Sequence, residues 1–163
     1  MTEEKYRRCI GFVGSSKIRR TAFAIVYKYL PIVFFAAYPV VLIYLLINGS
    51  DRLIFSIVIP AVMFITLSAA RYFINAPRPY EVYGITPIFA KDTKGKSFPS
   101  RHTACAVMIA MTILSVSLPI GFVFCAAAIL IAASRVVGGV HFPRDVIAGT
   151  LYAVLWGAVL FIV

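Results

Sequence analysis

Apolar positions in this chain arrive in long blocks rather than in stripes. Residues 29–47, 53–70, 103–134 and 146–163 contain no charged side chain. About 20 consecutive apolar residues carry one helix across the hydrocarbon core of a bilayer. The first, second and fourth blocks therefore predict one crossing each. The third is too long for one, and Leu118-Pro119-Ile120-Gly121 near its centre predicts a break that folds it into a hairpin. The expected fold is an all-α, polytopic membrane helix bundle of about five transmembrane helices. Pro31, Pro39 and Pro60 fall inside predicted spans and mark kinks, which are tolerated where neighbouring helices re-satisfy the freed carbonyls.

The first 28 residues follow a different pattern. Lys5, Arg7, Arg8, Lys17, Arg19, Arg20 and Lys28 recur through them, with Tyr6, Ile10 and Val13 at helical spacing and a break at Gly14-Ser15-Ser16. Such a segment predicts an N-terminal interfacial amphipathic helix lying on the lipid headgroups; a partly disordered basic tail is the alternative. No compact apolar core with a small-residue cleavage site stands ahead of the first span. That span is therefore expected to act as an uncleaved signal-anchor. The expected division is a basic interfacial segment over residues 1–28 and a membrane-embedded unit over residues 29–163.

Composition sharpens this picture. Hydrophobic residues make up 61% of the chain and charged ones 13%, against about 25% charge in a typical soluble domain, so a water-soluble domain is excluded. The formal net charge of +10 raises nucleic acid as a partner. The cations, however, flank apolar spans instead of alternating with stacking aromatics on a polar face. Membrane lipids and their phosphates are the expected partners, not nucleic acid. Cys9, Cys105 and Cys125 are odd in number and unpaired in spacing, which predicts neither a disulfide framework nor a zinc site.

The remaining polarity is concentrated in three islands. They are Arg71 with Arg78-Pro79, Pro99-Ser100-Arg101-His102, and Ser134-Arg135 leading to His141 and Asp145. The only two histidines lie within them. Counting antiparallel crossings puts all three islands on one membrane face, while the other face receives only residues 48–52 and the Pro119 turn. Ionisable groups at the ends of membrane spans are costly and are usually kept for a function.

Taken singly, each island has a plain structural reading: snorkelling arginines, a helix cap, or an acidic residue favoured by a helix dipole. Taken together they suit a phosphate. Guanidinium groups are planar, permanently charged and bidentate toward phosphate oxygens. Arg71 and Arg78 are seven apart, so a continuous helix would present both on one face. Pro77 and Pro79 disfavour helical geometry at Ala76 and Arg78. The Pro-Ser start before His102 suits a helix entry, whose free N–H groups attract an anion. If helical, Asp145 is placed to accept a hydrogen bond from His141, fixing the tautomer and leaving the second ring nitrogen to attack phosphorus. His102 then protonates the departing alkoxide and later activates water. With only six carboxylates and no further ligand spacing, neither metal nor other cofactor is expected.

These islands resemble the three motifs of the type-2 phosphatidic acid phosphatase superfamily, Lys-x6-Arg-Pro, Pro-Ser-Gly-His and Ser-Arg-x5-His-x3-Asp. Across residues 50–160 they stand here as Arg71-x6-Arg78-Pro79, Pro99-Ser100-Arg101-His102 and Ser134-Arg135-x5-His141-x3-Asp145. The resemblance implies His141 as nucleophile, Asp145 as its partner and His102 as acid/base. It also implies Arg71, Arg78, Ser100, Arg101 and Arg135 as phosphate ligands. Arg71 replaces the family lysine and keeps its charge. Arg101 replaces the motif glycine, adding bulk and a further cation at the mouth. Family members in membranes usually have six crossings, one more than expected here.

The resemblance implies a lipid phosphate substrate of the phosphatidate, phosphatidylglycerophosphate or polyprenyl pyrophosphate class, and selects none of them. The connection 76–98 is either a lid that reads the headgroup or a solvated basic loop. A phosphotransferase passing phosphate to a second lipid would use the same residues. A transporter of phospho-anions would need polar groups deep within several spans, and these spans are nearly bare. A soluble vanadate-binding haloperoxidase is opposed by the hydropathy. The expected location is a cell membrane, crossed several times. Charge bias favours a site on the cytoplasmic side, family habit an extracytoplasmic one, and both stay open. Oligomeric state is not legible.

Overall fold

The computed structural model describes residues 1–162, and the charge-free blocks are helices in it. Helix α1 (Glu3–Gly14) is followed by α2 (Lys17–Ala24), which runs through one π turn (Ile25–Tyr29) into α3 (Leu30–Ile47). Then come α4 (Arg52–Ile74), the short α5 (Pro79–Tyr83), α6 (Arg101–Val116), α7 (Leu118–Val137) and α8 (Pro143–Ala158), ending in a 3-10 turn (Val159–Phe161). No strand occurs among the described residues. The fold is the all-α membrane bundle that the block pattern predicts. Large apolar side chains such as Ile32, Phe35 and Ile43 on α3, and Ile147, Leu151 and Leu155 on α8, point outward, as a lipid-facing surface requires.

Helix α6 is the central pillar. It packs against α3, α4, α7 and α8 and buries residues along most of its length. One apolar cluster joins Phe34 of α3, Ile109 and Ile113 of α6 and Ile131 of α7. The other joins Ile59, Met63 and Leu67 of α4, Met108 of α6 and Ala153 of α8. Among the described residues, four helices are long and apolar enough to cross a membrane: α3 with its N-terminal extension, α4, α7 and α8. Helix α6 has 16 residues, a rise of about 24 Å against a hydrocarbon core of about 30 Å. Ringed by the other helices, it need not match the bilayer thickness itself.

The hairpin breaks earlier than the Pro119 turn expected from the sequence. Ser117 is the extended residue, with φ −145° and ψ 109°, and Leu118-Pro119 forms the first turn of α7. Proline is well suited there, because the first helical N–H groups have no intrahelical partner to lose. Gly121 lies where a Cβ would collide with the Leu114 backbone, so a glycine lets the two arms of the hairpin close.

Two interior prolines explain two long-range hydrogen bonds. Pro60 has no N–H for the Ser56 carbonyl, and the Tyr38 hydroxyl donates to that carbonyl at 2.7 Å. Pro31 leaves the Tyr27 carbonyl in the same position, and Arg135 Nη2 donates to it at 2.8 Å. A carbonyl freed in an apolar environment needs a donor from elsewhere, and α3 and α7 supply them.

At the N-terminus, Lys5, Arg7 and Arg8 of α1 are exposed while Tyr6 and Val13 are buried, and α1 ends at the Gly14-Ser15-Ser16 break. The helix through Lys17–Ile47 is unbroken over 31 residues, about 46 Å, so its basic first turns extend past the apolar core. Residue 28 falls inside this continuous helix. Every lysine and arginine except Arg52 stands at the end of the bundle where α4 finishes and α6 begins.

Candidate active site

The turn between α7 and α8 presents His141. Gly139 takes φ +77°, a conformation glycine adopts without strain. The Val140 and His141 N–H groups both donate to the Arg135 carbonyl at 3.2 Å. His141 precedes α8, and Asp145 lies in the first turn of that helix. The pairing anticipated from the four-residue spacing therefore forms across the helix entry rather than along a helix. Asp145 Oδ2 stands 3.4 Å from His141 Nδ1. The same oxygen accepts from Ser97 Oγ at 2.5 Å and from the Phe142 N–H at 2.9 Å. An ionised carboxylate only accepts, so the proton resides on Nδ1 and Nε2 keeps its lone pair. Burial pushes the His141 pKa down to about 4, against the upward pull of Asp145, so the ring is neutral at pH 7.

Arg71 and Arg78 meet by a different route from the shared helix face that their spacing suggests. Helix α4 ends at Ile74, and Asn75 turns the chain at φ 43°. Arg78 is extended, with φ −96° and ψ 161°, which is where Pro77 and Pro79 drive it. Both guanidinium groups then converge on the segment before α6. Arg71 donates to the carbonyls of Ser97, Pro99 and Lys96. Arg78 donates to Gly95 at 3.0 Å, Lys96 at 3.3 Å and Val140 at 3.2 Å. Glu81 staples the same segment, accepting from the Arg78 N–H at 2.8 Å and the Gly95 N–H at 2.9 Å. The 76–98 connection is thus folded back over the mouth of the bundle.

Beneath it lies a cavity of 310 Å³ whose lining includes His102 and His141 together with Arg71, Arg78, Lys91, Lys96 and Arg101. No carboxylate lines it. Larger clefts elsewhere run between helices and are lined by apolar side chains. Burial, followed by the neighbouring Arg78 and Arg135, pushes the Lys91 pKa down to about 8. That lysine has no hydrogen-bond or ion-pair partner among the described residues. Five cations and no carboxylate around one cavity give it a positive field, which attracts anions rather than cations.

Of the residues singled out from the sequence, His102, His141, Arg71, Arg78 and Arg101 line this cavity, and Asp145 holds the His141 ring from behind. Two others are directed elsewhere. The Ser100 hydroxyl accepts from Thr103 Oγ1 at 3.0 Å, and the Ser100 N–H donates to the Asp145 carbonyl at 2.8 Å. Ser100 thereby ties α6 to α8. The Arg135 guanidinium sits 4.1 Å from the Tyr27 ring centre and serves the carbonyl that Pro31 frees. Neither side chain lines the cavity. Conversely, Ser97 bonds Asp145 and stands 3.3 Å from His141 Nδ1, although no motif spacing marks it. Lys91 and Lys96 had a signal only as part of a basic connection. No cluster of three or more His, Cys, Asp or Glu able to hold a metal occurs among the described residues.

The sequence model of the PAP2 superfamily matches residues 51–163, a stretch that contains every residue of the cavity. The chain belongs to the PAP2 superfamily. Among solved structures, Aquifex aeolicus LpxE aligns at 25% identity with a TM-score of 0.65, over 88% of this chain and 94% of that one. A transmembrane PAP2-type phosphatidylglycerolphosphate phosphatase from Bacillus subtilis aligns at 18% identity with a TM-score of 0.50. That second alignment covers 95% of this chain and 90% of the other, and it is a likeness of fold. No curated protein matches the chain. PAP2 membership and the apolar helices support a multi-pass membrane protein and, at the level of the family, a membrane lipid phosphatase.

Proposed function

We propose that this PAP2 protein hydrolyses the phosphate of a membrane lipid through a covalent phosphohistidine at His141, without a metal. The observation that carries the reading is the His141 ring itself. It is buried, neutral, held at Nδ1 by Asp145, and lines a cavity that holds His102 and five cations. In the first step Nε2 attacks phosphorus and the bond from phosphorus to the lipid oxygen breaks. The negative charge of the bound phosphate draws a proton onto His102, which passes it to that oxygen, and Asp145 balances the imidazolium that forms. In the second step His102 takes a proton from water, the water oxygen attacks phosphorus, and the phosphorus–nitrogen bond breaks. Arg71, Arg78, Lys91 and Arg101 face the charge that spreads over the equatorial oxygens, and such electrostatic positioning carries most of the rate in phosphoryl transfer.

The cavity stands at the end of the membrane spans, where a lipid headgroup sits while its tails stay among the helices. A phosphatidate, phosphatidylglycerophosphate or polyprenyl pyrophosphate headgroup each fits this chemistry. Release of inorganic phosphate from a panel of these lipids in detergent, with chelator present, tests the reading. We expect release by the wild-type chain and none by His141→Ala. Activity that persists in the variant, or disappears with chelator, overturns it. Transfer of phosphate to a second lipid in place of release would make the protein a phosphotransferase.

A further inference from the structure

Three carbonyls of the turn that carries His141 are held by donors from three parts of the chain. The Gly138 carbonyl accepts from the Ile88 N–H at 3.3 Å, and the Val140 carbonyl accepts from Arg78 Nη1 at 3.2 Å. The His141 carbonyl accepts from the Tyr6 hydroxyl at 3.0 Å. The first two donors lie within the stretch matched by the family; Tyr6 lies on α1, outside it. Tyr6 is fully buried on a helix whose neighbouring side chains are exposed. Its ring centre lies 6.0 Å from that of Tyr83 and 6.1 Å from that of Phe142, the residue between His141 and α8.

A membrane-surface anchor needs no buried phenol aimed at a catalytic turn. Burial, and then the Asp145 carboxylate, push the Tyr6 pKa up, so the hydroxyl remains a donor. The His141 N–H is already bound to Arg135 and its Nδ1 faces Asp145. The carbonyl is the remaining polar handle on its backbone, and α1 holds it. Loss of that donor leaves a buried carbonyl unpaired and lets the peptide after His141 turn away from its present plane. The ring then swings with it.

We infer that Tyr6 is a positioning residue for the reaction: through the His141 carbonyl it sets the direction of the imidazole, which makes α1 part of the active site. The inference rests on the phosphohistidine reading above. Its test uses the full chain in detergent, comparing wild type with Tyr6→Phe, which keeps the ring and removes only the donor. Rates are referred to the monodisperse fraction on size exclusion. Orthovanadate and inorganic phosphate serve as inhibitors, because vanadate needs an aligned imidazole nitrogen whereas phosphate needs only the cations.

We expect kcat to fall roughly tenfold, as a small displacement of a reacting group costs one to two powers of ten. Uniform binding is untouched, so KM and inhibition by phosphate should stay within about twofold, while vanadate inhibition weakens in step with kcat. Tyr83→Phe is the control. It removes a bond from Tyr83 to the Met1 carbonyl at 3.3 Å without touching the turn, and it should leave kcat unchanged. The inference falls if Tyr6→Phe turns over normally, if both inhibitors weaken equally, if Tyr83→Phe loses as much, or if Tyr6→Phe yields no monodisperse protein. A wild type that neither releases phosphate nor binds vanadate sinks the phosphatase reading first. A normal Tyr6→Phe beside an active wild type sinks only the role of Tyr6.

Discussion

The two ends of this bundle are built on opposite principles. At the far end, α3 passes to α4 through Asn48–Asp51 and α6 to α7 through Ser117, and the one cation, Arg52, lies exposed against the Ser115 carbonyl. At the near end, Arg71, Arg78, Ser97, Ser100, Ser134, Arg135, His141 and Asp145 are all buried. Buried charge costs stability unless it is hydrogen-bonded and paired. Here five cavity cations and Arg135 face two buried or capping carboxylates and a set of backbone carbonyls. The far end shows that this chain can close a bundle without such a network. Under the proposed function, the near-end groups that line the cavity are carried for chemistry, while Ser100 and Arg135 tie the helices around them.

The contrast is sharpest at Asp145, where one carboxylate oxygen serves Ser97, Phe142 and His141 together. Asp145→Asn keeps the shape but offers an amide where an acceptor is needed, so the wrong tautomer of His141 is favoured. Turnover should fall by roughly 10³-fold, measured as kcat on the best lipid phosphate, with the helical content unchanged by circular dichroism. A loss of only a few fold would mean that the near-end network is mainly structural.

Gly149 comes next. A Cβ there would lie 2.6 Å from the Ser100 carbonyl oxygen, so the small residue lets α8 approach the start of α6. Gly149→Ala should cost about 1–3 kcal/mol of stability and separate His102 from His141, seen as a lower melting temperature and a fall in kcat together. The reverse holds for Lys91, whose loss should spare the fold. Lys91→Met should raise KM about tenfold, the value of one charge-assisted hydrogen bond. Lys91 is charged below its pKa of about 8 and neutral above it. Wild-type kcat/KM should therefore decline as pH rises through about 8, and this limb should be missing in Lys91→Met. Smallest of all, Arg52→Gln at the far end should change kcat and KM by less than about twofold, as exposed substitutions usually do.

The block pattern made the all-helical membrane bundle and the shared end of the three islands legible, because charge-free length and antiparallel crossing are properties of the chain alone. What it left out depends on contacts between distant positions. Ser97 bonds Asp145 across 48 positions, and Tyr6 bonds His141 across 135; nothing in local spacing encodes either. The motif resemblance implies Arg135 as a phosphate ligand. Its guanidinium is instead claimed by Tyr27, because Pro31 withdraws a donor more than a hundred residues earlier. Arg71 and Arg78 were legible as a pair, but their meeting is made by the Asn75 turn and two prolines rather than by helical periodicity.

The central claim is that His141 bonds covalently to phosphorus. Base-quenched labelling with a lipid carrying ³²P in its headgroup, in the presence of chelator, tests it directly. The account predicts an acid-labile, base-stable label on the His141 peptide of the wild type and no label in His141→Ala. Label on His102, or full turnover by a protein that never acquires label, would contradict it.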